Sequence, residues 1–201
     1  YMKKIILSII VMVLSAPAFA QMGSGGFSFE KERMFYGVRI GVSFSEVDYK
    51  YTDLGTKPGL GLAGVIGVRV SDTVPVFMES GLYYNCRGGN RKDQKLTLHY
   101  LDIPVLVKYG VHAGEHITIL PFMGPYVGFA VSGSTKGFND ASAFDSDAGM
   151  KRVDMGFKFG AGIEYSLLYL ELGYQFGFVN IGKNPNDTHT SSFFINFGVN
   201  F

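Results

Sequence analysis

The chain has 201 residues and a formal net charge of +1, with 18 Lys and Arg against 17 Asp and Glu. That length holds one domain, and the scattered, balanced charge gives no support for a nucleic-acid surface. A single cysteine, Cys86, excludes an intramolecular disulfide framework.

Residues 1–20 read as a secretory signal peptide, with Lys3 and Lys4 as the charged region, Ile5 to Leu14 as the apolar stretch and Ala18-Phe19-Ala20 as the cleavage site. The apolar stretch is about half the roughly twenty residues that a spanning helix needs. Cleavage is therefore expected before Gln21, followed by a periplasmic N-terminal segment over 21–34 and a barrel over 35–201. No Cys follows the cleavage site, which argues against a lipoprotein. Beyond the leader no apolar run reaches the length of a spanning helix, so a membrane role requires strands.

The rest divides into segments of period-two alternation separated by Gly, Asn, Asp, Pro and Ser clusters. In the first, Val38, Ile40, Val42 and Phe44 share one face, with Gly37, Arg39, Gly41, Ser43 and Ser45 on the other. Gly59 to Ser71 sets Leu60, Leu62, Ile66, Val68 and Val70 against Gly61, Ala63, Gly67 and Arg69. Val76 to Cys86 sets Val76, Met78, Leu82 and Tyr84 against Glu79, Gly81, Tyr83 and Asn85.

The fourth segment ends with Leu101, Ile103, Val105, Val107 and Tyr109 opposite Asp102, Pro104 and Lys108. Its start, Leu96 to Tyr100, has the opposite phase, which predicts a bulge or an exit from the membrane band near Tyr100. Ile117 to Ser132 is less regular, with Met123, Val127, Phe129 and Val131 outward and Phe122, Gly124, Tyr126 and Gly128 inward. The last three segments are regular: Val153 to Tyr165 carries Asp154, Lys158 and Glu164 on its polar face, Leu170 to Phe178 carries Glu171 and Gln175, and Phe193 to Phe201 carries Asn196 and Asn200.

Eight such apolar faces are too bulky to fill the inside of a small barrel, but turned outward they form a lipid-facing band. The expected fold is all-β, a transmembrane antiparallel up-and-down barrel of about eight strands. The expected connections alternate in length: long at Glu46 to Pro58, Gly133 to Arg152 and Gly182 to Ser191, moderate at Arg87 to Lys95, short elsewhere. That asymmetry places both termini in the periplasm. Two aromatic girdles follow, with Tyr36, Tyr109, Tyr165, Tyr169 and Phe201 at the periplasmic ends and Phe44, Tyr84, Phe129, Phe178 and Phe193 at the outer ends.

Tyr100-Leu101-Asp102-Ile103-Pro104-Val105-Leu106-Val107-Lys108-Tyr109 resembles the signature of the PorT-like, OmpA-type β-barrel family of Bacteroidetes outer membranes. Gly124-Pro125-Tyr126-Val127-Gly128, Gly160 to Tyr165 and Leu170 to Tyr174 match it in the same order, and Phe193 to Phe201 is similar to the last strand that the barrel-insertion machinery reads, with Phe201 as the signal. The resemblance implies a small closed barrel, with a secretion-accessory role in one named member, and no shared catalytic motif.

Several short motifs point to chemistry only weakly. Gly59 to Gly64 fits G-x-G-x-x-G, but it opens a strand rather than a helix. His112 to His116 fits H-x-x-E-H without the helical turn that zinc ligation needs. Asp145 and Asp147 with Asp140 resemble half a calcium loop, read as a solvated loop, and Asn186-Asp187-Thr188 fits a glycosylation sequon of little weight in a bacterium. A wall-embedded lipid hydrolase would need a nucleophile with a base, for which His99 beside Thr97 is the one candidate pair.

The informative constellation is an inward charge network of Arg39, Arg69, Lys108 and Lys158 against Glu79, Asp102, Glu164 and Glu171. In a narrow lumen these must pair. The expected protein is a non-enzymatic outer-membrane barrel with a largely filled lumen, acting through extracellular loops, as a monomer, without a cofactor or metal. Its expected partners are membrane lipid, lipopolysaccharide and the insertion machinery. A secretion accessory role, a narrow pore and a hydrolase are the alternatives.

Overall fold

A computed structural model describes residues 33–49, 52–91, 94–113, 117–136, 143–144, 150–182 and 188–201. The leader, the calcium-like aspartates, Glu115, His116, Asn186 and Asp187 lie outside these residues. The strands are β1 (Met34–Tyr49), β2 (Thr52–Arg69), β3 (Val76–Arg91), β4 (Gln94–Tyr109), the two-residue β5 (Val111–His112), β6 (Ile117–Lys136), β7 (Val153–Tyr165), β8 (Leu168–Gly177) and β9 (Thr188–Asn200). Every long strand runs antiparallel to both neighbours, β1 pairs with β9, and β4 pairs with β6. The sheet therefore closes into an eight-stranded barrel, β5 being a short addition beside β6.

The alternation has the expected sense. Ile40, Leu60, Ile103, Met123, Leu172 and Phe197 on the outer face are exposed, whereas Arg39, Glu79, Lys108 and Glu171 inside are at most 1% exposed. A β-strand sends successive side chains to opposite faces, so one sequence pattern builds both surfaces at once. The two-residue turn between β7 and β8 places Ser166 at φ 54°, as a primed hairpin turn requires at its first central position.

Two expectations need correction. The segments Glu46 to Pro58 and Arg87 to Lys95 are mostly strand: β1 and β2 run on to Tyr49 and Thr52, and β3 and β4 to Arg91 and Gln94. Their polar, Gly-containing sequence suggested loops, but here the strands rise beyond the apolar band and pair with each other. Only the connections 137–152 and 178–187 are long at that end, which we call distal; Arg33, Phe201 and turns 70–75 and 166–167 lie at the other, terminal end.

A bulge lies at Tyr100 as expected, and β4 itself runs through it unbroken. Leu96, Leu98, Tyr100, Asp102, Leu106 and Lys108 all point inward and are buried. What changes is the interior, which becomes apolar above Tyr100. The bulge belongs to the partner strand, since Tyr100 faces Ala130 and His99 faces Ser132, leaving Val131 over. Tyr169, assigned to the girdle, is 1% exposed and faces inward, because it shares the phase of Glu171.

Candidate functional site

The lumen is the part of this protein with an organised chemistry, and it is layered. At the terminal end Phe35, Phe77, Leu120 and Tyr169 form an apolar layer that extends inward to Val65, Ala63 and Tyr83. The Phe35 and Phe77 rings meet edge to face at 6.4 Å. At the distal end Val47, Leu96, Leu98, Tyr100, Ala130 and Ala143 pack together, with Phe144 and Met150 against them. Ala143 comes from the β6–β7 connection, held by its amide donating to the Gly133 carbonyl at 3.3 Å and by Met150 donating to the Ala143 carbonyl at 2.9 Å.

Two ionic networks lie between these layers. In the first, the Lys108 ammonium lies 2.8 Å from Glu79 Oε2 and 3.8 Å from Glu171 Oε2, and donates to the Tyr169 hydroxyl at 2.8 Å. Arg39 reaches Glu79 at 3.6 Å and stacks 4.1 Å over the Tyr169 ring. It also donates to Asn200 Oδ1, while Asn200 Nδ2 donates to Glu164 at 2.8 Å. Lys158 lies 3.8 Å from Glu171 Oε1, between the rings of Tyr83 and Phe194 at 4.1 and 4.3 Å. Asn196 donates to Glu171 at 2.7 Å.

The second network centres on Arg87, which pairs with Asp102 and, at 2.9 Å, with Asp154. Asp154 Oδ2 also accepts from the Tyr126 hydroxyl at 3.0 Å and the Thr190 hydroxyl at 2.9 Å. Asn85 donates to Asp102 at 2.7 Å. The Arg87 guanidinium sits 4.7 Å over the Tyr100 ring. A cavity of ≈ 10 Å³ beside Arg87, Lys158, Gln175 and Asn196 has room for about one water.

Among the described residues the buried charges are Arg39, Lys57, Arg87, Lys108 and Lys158 against Glu79, Asp102, Asp154, Glu164 and Glu171, five of each sign. Seven of these, Arg39, Glu79, Asp102, Lys108, Lys158, Glu164 and Glu171, are expected inside from the sequence, with Arg69 as an eighth, and the structure buries all seven. Arg69 stands apart, half-buried at the terminal rim, where its Nε donates to the Ser71 carbonyl at 2.9 Å. Arg87 and Lys57 were missed because they fall in stretches read as loops; extending the inward phase from Tyr83 and Asn85, or back from Gly61, reaches both. Asp154, on the expected polar face of its strand, joins the pairing charges through Arg87.

The weak motifs receive no support as sites. Gly59 to Gly64 lies within β2, and Thr188 of the sequon is buried at the start of β9. His99 Nδ1 is 2.7 Å from the Tyr84 hydroxyl, and the Thr97 hydroxyl accepts from Lys57, so each is engaged elsewhere than with the other. Among the described residues no group of three His, Cys, Asp or Glu is arranged to hold a metal.

Residues 19–182 match a family described as outer membrane protein beta-barrel domain. No curated protein matches the sequence. Among solved structures the chain is similar to Neisserial surface protein A, at 15% identity and a TM-score of 0.54, covering 85% of this chain and 100% of that one. It is also similar to Ail, the attachment invasion locus protein of Yersinia pestis, at 13% identity and a TM-score of 0.51, with the same coverage. At these identities the likeness is one of fold.

Proposed function

Because this chain belongs to the outer membrane protein beta-barrel domain family, we propose that it is a non-enzymatic, non-conducting barrel of the outer membrane that acts through its exposed ends. The observation that carries this reading is a balanced set of four buried cations, Arg39, Arg87, Lys108 and Lys158, ion-paired with four buried carboxylates, Glu79, Asp102, Asp154 and Glu171, between two apolar layers. A conducting pore needs water and mobile ions along its axis, and a charge ring that selects them is unbalanced. Here each of these eight charges has a fixed partner of opposite sign.

On this reading the distal end is extracellular, residues 1–20 are removed on export, and Phe201 is the feature read by the insertion machinery. The carbonyl and amide of Phe201 are both bonded to Tyr36 at 2.8 Å, so the signal residue also closes the barrel wall. Lipid and lipopolysaccharide surround the wall, and surface or envelope proteins meet the projecting β1–β2 and β3–β4 hairpins. Proteoliposomes carrying the barrel should retain a trapped small dye; rapid release would overturn the reading.

The secretion-accessory reading rests on Tyr100 to Tyr109. In this fold the inward members of that run, Tyr100, Asp102, Leu106 and Lys108, all serve the lumen, so the motif speaks for barrel architecture more than for a role. A deletion strain that retains its secreted proteins in the periplasm would favour the accessory role.

A further inference from the structure

The cations of the lumen are not equally provided with acceptors. Arg87 hydrogen-bonds Asp154 at 2.9 Å and also Asp102, and Arg39 donates to Asn200 Oδ1 and to the Val199 carbonyl at 3.1 Å. Lys108 donates to the Tyr169 hydroxyl at 2.8 Å, and Lys57 to the Leu96 carbonyl at 2.9 Å.

Lys158 is the exception. It is 4% exposed, and Glu171 Oε1 lies 3.8 Å from its ammonium, close enough to pair electrostatically but beyond hydrogen-bonding distance. Its other neighbours are the faces of Tyr83 and Phe194, which attract the charge without accepting a conventional hydrogen bond. Among the described residues none accepts a hydrogen bond from it. An ammonium has three donors, and burying them without an acceptor is costly.

The structure provides a place for that acceptor. Lys158 lines the cavity of ≈ 10 Å³, whose lining is polar apart from Phe194, with amides from Gln175 and Asn196 and hydroxyls from Ser43 and Ser192. That volume admits one molecule the size of water, in a setting with several polar partners. Charge decides its kind, because the four paired cations already face four carboxylates and a bound anion would add an unmatched buried charge. The cavity also lies where the two networks meet, with Asn196 donating to Glu171 of the first and Gln175 to Asp102 of the second at 3.5 Å.

We propose that this cavity is a binding site for a single water molecule, which accepts a hydrogen bond from the Lys158 ammonium and joins the two ionic networks into one. The inference rests on the packed lumen proposed above, and the two fail differently. A crystal structure of the full barrel, from crystals soaked in sodium bromide, tests it. One ordered water is expected within about 3.2 Å of Lys158 Nζ, with no anomalous bromide signal there, and Lys158→Met should remove it. A dry cavity, or bromide beside Lys158, would overturn the water and leave the packed lumen standing; a file of waters along the axis would overturn both. In solution, Ser43→Val fills the cavity and displaces the water, whereas Ser43→Ala removes the hydroxyl alone. The thermal midpoint for loss of heat-resistant migration should be lower for Ser43→Val than for Ser43→Ala, and this difference should vanish in Lys158→Met. A Ser43→Val midpoint at or above that of Ser43→Ala, as filling a dry cavity gives, or a difference that persists in Lys158→Met, would overturn the proposal.

Discussion

Arg87 on β3 and Asp154 on β7 form an ion pair of 2.9 Å across the lumen, between strands separated by β4 and β6. The same guanidinium holds Asp102, so a single side chain ties three strands through the barrel axis. Neither strand adjacency nor the ladders produce that link; it exists only because the wall is closed and its inward phase is polar.

Arg87 should be the most damaging single position in the lumen. Arg87→Met leaves two buried carboxylates facing each other, and losing one partner of a buried pair costs about 3–5 kcal/mol. The thermal midpoint for loss of heat-resistant migration in detergent should fall clearly. Adding Asp102→Asn and Asp154→Asn to Arg87→Met should recover part of the loss. A midpoint unchanged in the single variant would mean that Arg87 is solvated rather than buried.

The first network makes the parallel case. Arg39→Met and Glu171→Gln should each lower the same midpoint, because Arg39 holds Glu79 and Asn200, and Glu171 lies between Lys108 and Lys158. Arg33→Met is the control. Its pair with Asp72 is about four-fifths exposed on both sides, and such surface pairs contribute little.

Two glycines give a steric test of the second network. A Cβ at Gly128 would collide with Asp102 Oδ1, and one at Gly177 with Asp154 Oδ1, whereas Gly64 on the outer face has nothing within 4 Å of that position. Gly128→Ala and Gly177→Ala should cost about 1–3 kcal/mol each, and Gly64→Ala should be silent in the same melting assay. Equal tolerance at all three positions would contradict the packed lumen.

The outer face is tested by charge. Leu172→Lys places an ammonium in the lipid-facing band and should cost about 2–4 kcal/mol near the mid-plane. Measured as folding yield into vesicles, it should fall well below that of Lys151→Ala, which alters an exposed distal residue.

The strand phases were legible because membrane barrels write both faces into one period-two pattern, and Val153 to Tyr165 shows it most regularly. The lumen charges on those phases, Arg39, Glu79, Asp102, Lys108, Lys158, Glu164 and Glu171, followed directly. The extended hairpins did not, since strands that rise out of lipid lose the apolar face that marks them. Lys57 and Arg87 were lost with them, although each continues the phase of its strand. The apolar cap was illegible for another reason: Leu96, Leu98 and Tyr100 look like a lipid face out of phase until Ala143, far along the chain, is brought over them.

Everything here depends on an axis filled by paired charges and closed at both ends. Single-channel recording of the purified barrel in a planar lipid bilayer tests this most directly. A baseline without channel openings is expected over a wide voltage range, with openings only when Arg87 and Lys108 are both truncated. Steady, ohmic conductance from the unmodified protein would contradict it.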